Sequence, residues 1–344
     1  MKAQKNKFLL PVIAVAAVVA LVIALQQHPA EYHNNRGMIF GTYFNVTYQY
    51  DEDLEADILA SLQEVDNSLS MFNDKSVISR INQDEEVALD EHFLKVFSIA
   101  QYVSKETDGA FDITVAPLVN AWGFGFKNGT SPGQAQVDSL RSMIGMEKLR
   151  LASTPDGKNT IKKSVKGMML DCSAVAKGYG VDVVANMLRG KGIKNFMVEI
   201  GGEVVTSGVS SKRMPWRIGV VKPTDDTLNV SNELQTCLNV TDKAMATSGN
   251  YRNFYYKGGK KYAHTIDPKT GYPVQHSILS ATVLASDCAT ADAFATAFMV
   301  MGLERAKTVL SRHGDLMAYL IYSDDNGEMQ VWYSPTMEDK VIGE

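Results

Sequence analysis

Leu279-Ser280-Ala281-Thr282-Val283-Leu284, followed closely by Ala289-Thr290-Ala291-Asp292-Ala293-Phe294-Ala295-Thr296-Ala297, is the stretch that decides the fold. The first run is β-rich and predicts a strand. The second lies inside Cys288 to Met301 and predicts a long helix of small residues. Downstream, Glu304 to Arg312 reads as another helix, and strands close the chain near Met317 and Val331. Upstream, Ala174 to Leu188 reads as a helix. Phe196 to Ile200 and Val204-Val205 flank a Gly201-Gly202 turn, and Trp216 to Val221, Leu234 to Val240 and Ala244 to Thr247 read as strands. Strands and helices interleave without a regular βαβ beat. The fold class is therefore α+β, or irregular α/β, rather than a Rossmann sheet.

The N-terminal half fits the same class. Gly37 to Tyr50 alternates and predicts one strand. Leu54, Ile58, Leu62, Val65 and Leu69 recur at helical spacing, as do Phe93, Val96, Phe97, Ala100 and Val103 before Asp108-Gly109. Asn128 to Gln136 reads as a surface loop and Val137 to Ile144 as a short helix. Short strands follow near Leu149, Ile161 and Met169.

Composition sets outer limits. With 344 residues, 45% hydrophobic and 21% charged, the chain is that of a folded protein with one large domain or two ordinary ones. A net charge of −5 and scattered Lys and Arg offer no basic patch for nucleic acid. Cys172, Cys237 and Cys288 form no CxxC pair and read as small buried thiols. Neither GxGxxG nor GxxxxGK[ST] occurs.

The N-terminus predicts export. Lys2, Lys5 and Lys7 precede an uncharged apolar run from Phe8 to Leu25. As a helix that run rises about 27 Å, close to the hydrocarbon thickness of a bilayer. Positive charge before it predicts a cytoplasmic N-terminus. Residues 1–26 therefore read as a single-pass anchor in the inner membrane, in preference to a cleaved signal peptide. Residues 27–36 read as a linker, and 37–344 as one exported, periplasmic domain.

Four segments carry candidate chemistry, each with an ordinary structural reading beside it. Asp292 and Thr296 are four apart and share a helix face, where a carboxylate and a hydroxyl suit a hard cation. By spacing alone, a close-packed buried helix is the better reading. Leu170 to Gly180 leads into a helix N-terminus suited to phosphate, with Lys177 near; a simple capped helix fits equally. His264 precedes the Asp267-Pro268 turn and could serve as acid, base or phosphate donor, or merely bond the backbone. Gly109 to Pro117 and Trp122-Gly123-Phe124-Gly125 place aromatics between glycines, as a flat ring or a tight turn would need.

Together these segments resemble the ApbE-type FAD:protein FMN transferases. The resemblance runs from about Gly37 to Arg312 through Phe40-Gly41-Thr42-Tyr43, Ser70-Met71-Phe72 with Ser76 to Asn82, Gly109 to Pro117, Ala174 to Gly178 and Glu199-Ile200-Gly201-Gly202. It continues through Ala246-Thr247-Ser248-Gly249, His264 to Pro273, and Ala291-Asp292-Ala293 with Thr296. Each motif is modest, but their joint order is specific. This chain departs from the family pattern in Phe40 where Met is usual, Phe72 where Tyr is usual, and Ser173 where Gly is usual.

The resemblance implies an ApbE-like fold and a Mg²⁺ site made by the Asp292 carboxylate, the Thr296 hydroxyl and the backbone carbonyl of Ala174. It implies FAD contacts at Phe40, Ser70, Met71, Phe72, Asp112, Lys177 and Ile266, with His264 near the pyrophosphate. The implied catalytic residues are His264 and Asp292. The implied activity is transfer of FMN from FAD to a Ser or Thr hydroxyl of an acceptor flavoprotein, such as a subunit of a membrane redox complex, with release of AMP. A Mg²⁺-dependent FAD pyrophosphatase and a non-catalytic exported flavin-binding protein are the alternatives, and a flavin oxidoreductase ranks last.

Overall fold

The computed structural model describes residues 30–125, 131–224, 233–250, 254–257, 260–275 and 277–342. In chain order these form β1 (Tyr32–Ile39), β2 (Thr42–Gln49), α1 (Glu55–Leu69), α2 (Val77–Asn82), α3 (Glu91–Glu106), α4 (Ala116–Ala121) and α5 (Gln134–Arg141). Then come β3 (Leu149–Ser153), β4 (Asn159–Lys163), α6 (Ser173–Gly190), β5 (Phe196–Ile200), β6 (Glu203–Ser207), β7 (Arg217–Val221), β8 (Leu234–Asn239) and β9 (Ala244–Gly249). The chain continues through β10 (Phe254–Lys257), β11 (Lys260–Ala263), β12 (Ile278–Ala285), α7 (Cys288–Met301), α8 (Leu303–Leu310), β13 (Met317–Ser323), β14 (Met329–Tyr333) and β15 (Val341–Ile342).

An eight-stranded sheet in the order β1-β2-β5-β6-β9-β12-β13-β14 organises the molecule. Every neighbouring pair in it is antiparallel. Antiparallel neighbours need no helical crossover between them, which is why no βαβ beat shows in the sequence. The fold is α+β.

Helices cover one face of this sheet. Val181, Val184, Ala185 and Leu188 of α6 pack with Ile58 and Leu62 of α1 against Phe44, Val46, Phe196 and Val198. Helix α7 is apolar nearly all round and is buried on all sides, as such a helix must be. Its Phe294 and Phe298 join Phe93, Val96 and Phe97 of α3 and Ala281 and Val283 of β12. Side-chain caps start α3 and α7. Asp90 accepts from Phe93 N at 2.8 Å, and Asp287 accepts from Thr290 N at 2.9 Å. The opposite face carries a three-stranded sheet, β15-β8-β7, through Val220 and Leu238 against Met245, Leu284 and Ile321.

Local readings differ from the structure in four places. The single strand expected over Gly37 to Tyr50 is part of a hairpin, turning at Phe40 (φ 52°) and Gly41 (φ 73°). Two positive φ angles define this tight turn, and Phe at its first position conceals it from turn chemistry. Strand β1 begins at Tyr32, inside the stretch read as a linker; its polar residues suit an edge strand paired only with β2. No strand forms at Met169. There the backbone is held by side chains instead: Asn82 both donates to Leu170 O (2.9 Å) and accepts from Leu170 N (2.7 Å). Helix α5 starts at Gln134, within the expected loop, whose residues 128–130 lie outside the described residues.

The apolar run Phe8 to Leu25 also lies outside the described residues. Among the described residues no helix is long and apolar enough to cross a membrane. Cys172 and Cys288 are buried free thiols, as expected; Cys237 is free and half-buried.

Candidate active site

Helices α6 and α7 approach so closely that a Cβ at Gly178 would stand 2.4 Å from the Cys288 carbonyl oxygen. That glycine permits two buried aspartates to reach across the contact. From α7, Asp292 Oδ2 accepts from Gly178 N at 3.1 Å. In a regular helix this N–H bonds back to the Ala174 carbonyl. From α6, Asp182 accepts from Cys288 N and Ala289 N, both at 2.8 Å, satisfying free donors at the start of α7.

Asp292 is 2% exposed and faces a charge cluster. Lys177 Nζ stands 2.8 Å from Glu203 Oε1 and 3.8 Å from Asp292 Oδ2. Glu203 opens β6 immediately after the Gly201-Gly202 turn and is also buried. Burial pushes the Glu203 carboxyl up to about 7 against the pull of Lys177. Burial likewise raises Asp292, again opposed by Lys177. For Lys177, burial acts to lower the pKa, but the two carboxylates outweigh it and hold the ammonium above the ordinary lysine value. One half-buried cation thus sits between two buried carboxyls that titrate higher than usual. Glu203 Oε2 is buried without a hydrogen-bond partner among the described residues.

The cluster lines a cavity of roughly 450 Å³. Its wall includes Met71 and Phe72 after α1, Phe111 and Asp112 before α4, and Phe124 after it. Ala174, Ser248, His264, Ile266 and Thr296 complete the lining used below. Ser248 Oγ and Thr296 Oγ1 are 3.1 Å apart. Asp112 is fixed by Thr114, whose N–H and Oγ1 donate to it at 2.8 and 2.6 Å. Burial raises the Asp112 pKa against those two bonds. His264 faces the Phe124 ring edge-on at 6.5 Å. Trp122 donates from Nε1 to Gly271 O at 2.8 Å, tying the His264 loop to α4.

Nine of the expected site residues therefore share one cavity: Met71, Phe72, Asp112, Ala174, Lys177, His264, Ile266, Asp292 and Thr296. Phe40 and Ser70 are not among its lining residues. The Phe40 ring packs against Gly180, and Ser70 offers its carbonyl to Ser76 Oγ at 2.7 Å. Sequence reasoning missed Glu203, although an acid directly after a Gly-Gly turn and before an apolar strand was a readable signal. Among the described residues no three His, Cys, Asp or Glu side chains converge as a metal cluster. A cation here would take oxygen from a hydroxyl and a carbonyl as well as from a carboxylate, the donor chemistry of a hard ion.

Residues 40–320 match the sequence model of the ApbE family. An FAD:protein FMN transferase of Vibrio cholerae is 37% identical over 322 residues, covering 90% of this chain and 94% of the relative. That of Haemophilus influenzae is 36% identical over 326 residues, covering 91% and 93%. The solved flavin transferase ApbE from Vibrio cholerae superposes with a TM-score of 0.79 at 35% identity, covering 91% of this chain and 100% of that one.

Proposed function

Because this chain belongs to the ApbE family and is an FAD:protein FMN transferase, we propose that it works through the Lys177–Glu203–Asp292 cavity, with a divalent cation and an acceptor hydroxyl. The observation that carries the reading is this charge cluster, two buried carboxyls and a half-buried lysine, lining a cavity walled by aromatics, with Thr296 and Ser248 beside it. Asp292, Thr296 and the Ala174 carbonyl would hold Mg²⁺, and Glu203 Oε2, buried without a partner among the described residues, supports a cationic species nearby. The ion would supply charge neutralisation at the pyrophosphate, which phosphoryl-type displacement needs more than covalent help.

The chain's own groups do the rest. Lys177, held protonated by its two carboxyls, adds positive charge beside the phosphates. Met71, Phe72, Phe124 and Ile266 enclose the flavin end, where apolar and aromatic faces suit a flat ring. A Ser or Thr oxygen of the acceptor bonds to the FMN-side phosphorus. The bond from that phosphorus to the bridging oxygen breaks, and AMP leaves with that oxygen. The hydroxyl proton passes to a base, for which His264 is the candidate. The apolar run at Phe8 to Leu25 supports an inner-membrane tether with this domain on the periplasmic side, within reach of flavoprotein subunits of membrane redox complexes.

The test uses the full chain with FAD, Mg²⁺ and a flavin-free acceptor subunit, reading the acceptor's mass. The expected result is a gain of one FMN that a chelator abolishes and Mg²⁺ restores. AMP release with no mass gain would establish an FAD pyrophosphatase instead. FAD binding with neither outcome would leave only a flavin-binding protein.

A further inference from the structure

Strand β9 is paired along its whole length on one side and along only its first two residues on the other. Toward β12, all six residues from Ala244 to Gly249 have strand partners. Toward β6, only Ala244 and Met245 do. Among the described residues no strand continues the ladder beside Ala246-Thr247-Ser248-Gly249. The two strands separate there because β6 begins at Glu203, directly after the Gly201-Gly202 turn, where φ is 64° and 106°. The result is a notch in the sheet, with the turn on one side and the open edge of β9 on the other.

The notch joins two spaces. On the helix face lies the active-site cavity. On the opposite face, toward β7, lies a groove of roughly 470 Å³. Gly201, Thr247 and Gly249 line both. Alternation along β9 divides the rest: Ser248 belongs to the cavity with Thr296, while Met245 belongs to the groove. The outer wall is β7, itself the edge of its sheet, contributing Arg217 and Gly219; Tyr43, 73% exposed, stands on the β2 side. In the groove wall Gly202 has no atom within 4 Å of where its Cβ would stand, which leaves room for another backbone to approach closely.

We propose that this groove receives the acceptor protein as an extended segment that pairs with the open edge of β9. The inference rests on the transferase reading, since it assigns where the second substrate enters. An open edge is a ready template for a further strand, and main-chain hydrogen bonds supply affinity with little demand on side chains. Side chains of a paired strand alternate between the two faces of the sheet. A hydroxyl residue in the notch therefore points through the sheet, toward Ser248, Thr296 and Asp292, while its neighbours stay in the groove. FAD and the acceptor enter from opposite faces, so the segment can dock with the flavin already bound. Glu199 and Arg217 place one acid and one base along the groove, giving a docked segment a preferred direction.

Two measurements test this with the full chain and the flavin-free acceptor subunit that the parent protein modifies. In the first, Tyr43→Ala combined with Arg217→Glu, both on exposed positions outside the catalytic cluster, raises the KM for acceptor about tenfold or more. FAD affinity by flavin fluorescence stays within about twofold of the parent, as a groove that touches no flavin requires. In the second, a photo-crosslinking phenylalanine derivative at position 43 attaches to the acceptor close to its flavin-bearing residue. An unchanged KM, or crosslinks only to remote parts of the acceptor, overturns the groove while leaving transfer intact. A parent protein that modifies no acceptor overturns the transferase reading and the groove with it.

Discussion

Two aspartates cross the same helix contact, and they do opposite jobs. Asp182 reaches from α6 to the first turn of α7 and is closed off, its two oxygens each taking a backbone N–H. Asp292 reaches from α7 to α6, takes one N–H at Oδ2, and faces Lys177 and the cavity. Both are buried, and burial raises the pKa of both. What separates them is satisfaction. A carboxylate whose lone pairs are filled by fixed donors holds structure together. One with capacity left, lining a cavity beside a cation, is available to a ligand.

The largest effect that sharpens this contrast is on turnover. Asp292→Asn keeps shape and one acceptor but removes the charge. FMN transfer should fall at least ~100-fold, the scale seen when a group that stabilises transition-state charge is lost. The melting temperature should hold or rise, because a buried carboxyl of raised pKa is removed from beside Glu203. Acceptor mass against time, with a thermal melt, checks both. A protein that keeps parental transfer would remove Asp292 from the chemistry.

The second effect is on stability and runs the other way. Asp182→Ala strands two buried N–H groups at the start of α7, at a cost of about 2–4 kcal/mol. For a chain of this size that is a drop of several degrees in melting temperature. Transfer at low temperature should stay within about threefold of the parent, because Asp182 lines no part of the cavity. A tenfold loss of turnover in a still-folded variant would make the two aspartates functionally equivalent and break the comparison.

The sequence reveals one of these roles more readily than the other. Asp292 was visible because Thr296 follows four residues later on a helix of small residues, and because the flanking motifs occur in family order. Asp182 was invisible. Its partners are backbone groups of residues 288 and 289, over a hundred positions away, and no local spacing encodes that contact. Glu203 lay between the two: its place directly after the Gly201-Gly202 turn was readable, but its pairing with Lys177 comes only from α6 bringing that lysine to it. The long helices and central strands were legible from their apolar pattern, since α1 and α3 each bury a regular stripe and α7 is apolar nearly all round. The β1–β2 hairpin was not, because Phe40 occupies a positive-φ turn position usually filled by Asn, Asp or Gly. The notch beside β9 was beyond any reading of one strand, being a property of where β6 starts relative to its neighbour.

The smallest effect is in pH, and it isolates Asp182 from the catalytic cluster. Burial, partly offset by the Cys288 and Ala289 N–H groups, pushes its carboxyl up to about 7. The folded protein therefore holds a proton on Asp182 at pH values where the unfolded chain has released it. Stability linked to that proton is fully present below the ordinary aspartate range and is lost as pH rises through about 7. Asp182→Asn is neutral and cannot titrate, and its amide oxygen can still accept from one of the two N–H groups. Between pH 5 and 8, the parent's melting temperature should fall by a few degrees more than the variant's. Glu203 and Asp292 titrate in the same direction but are present in both proteins, so the difference between the two curves belongs to Asp182. Parallel curves would mean that the two N–H donors at the start of α7 outweigh burial and keep Asp182 charged throughout. Its closure would then be electrostatic, with the anion permanently seated on the positive end of the α7 dipole.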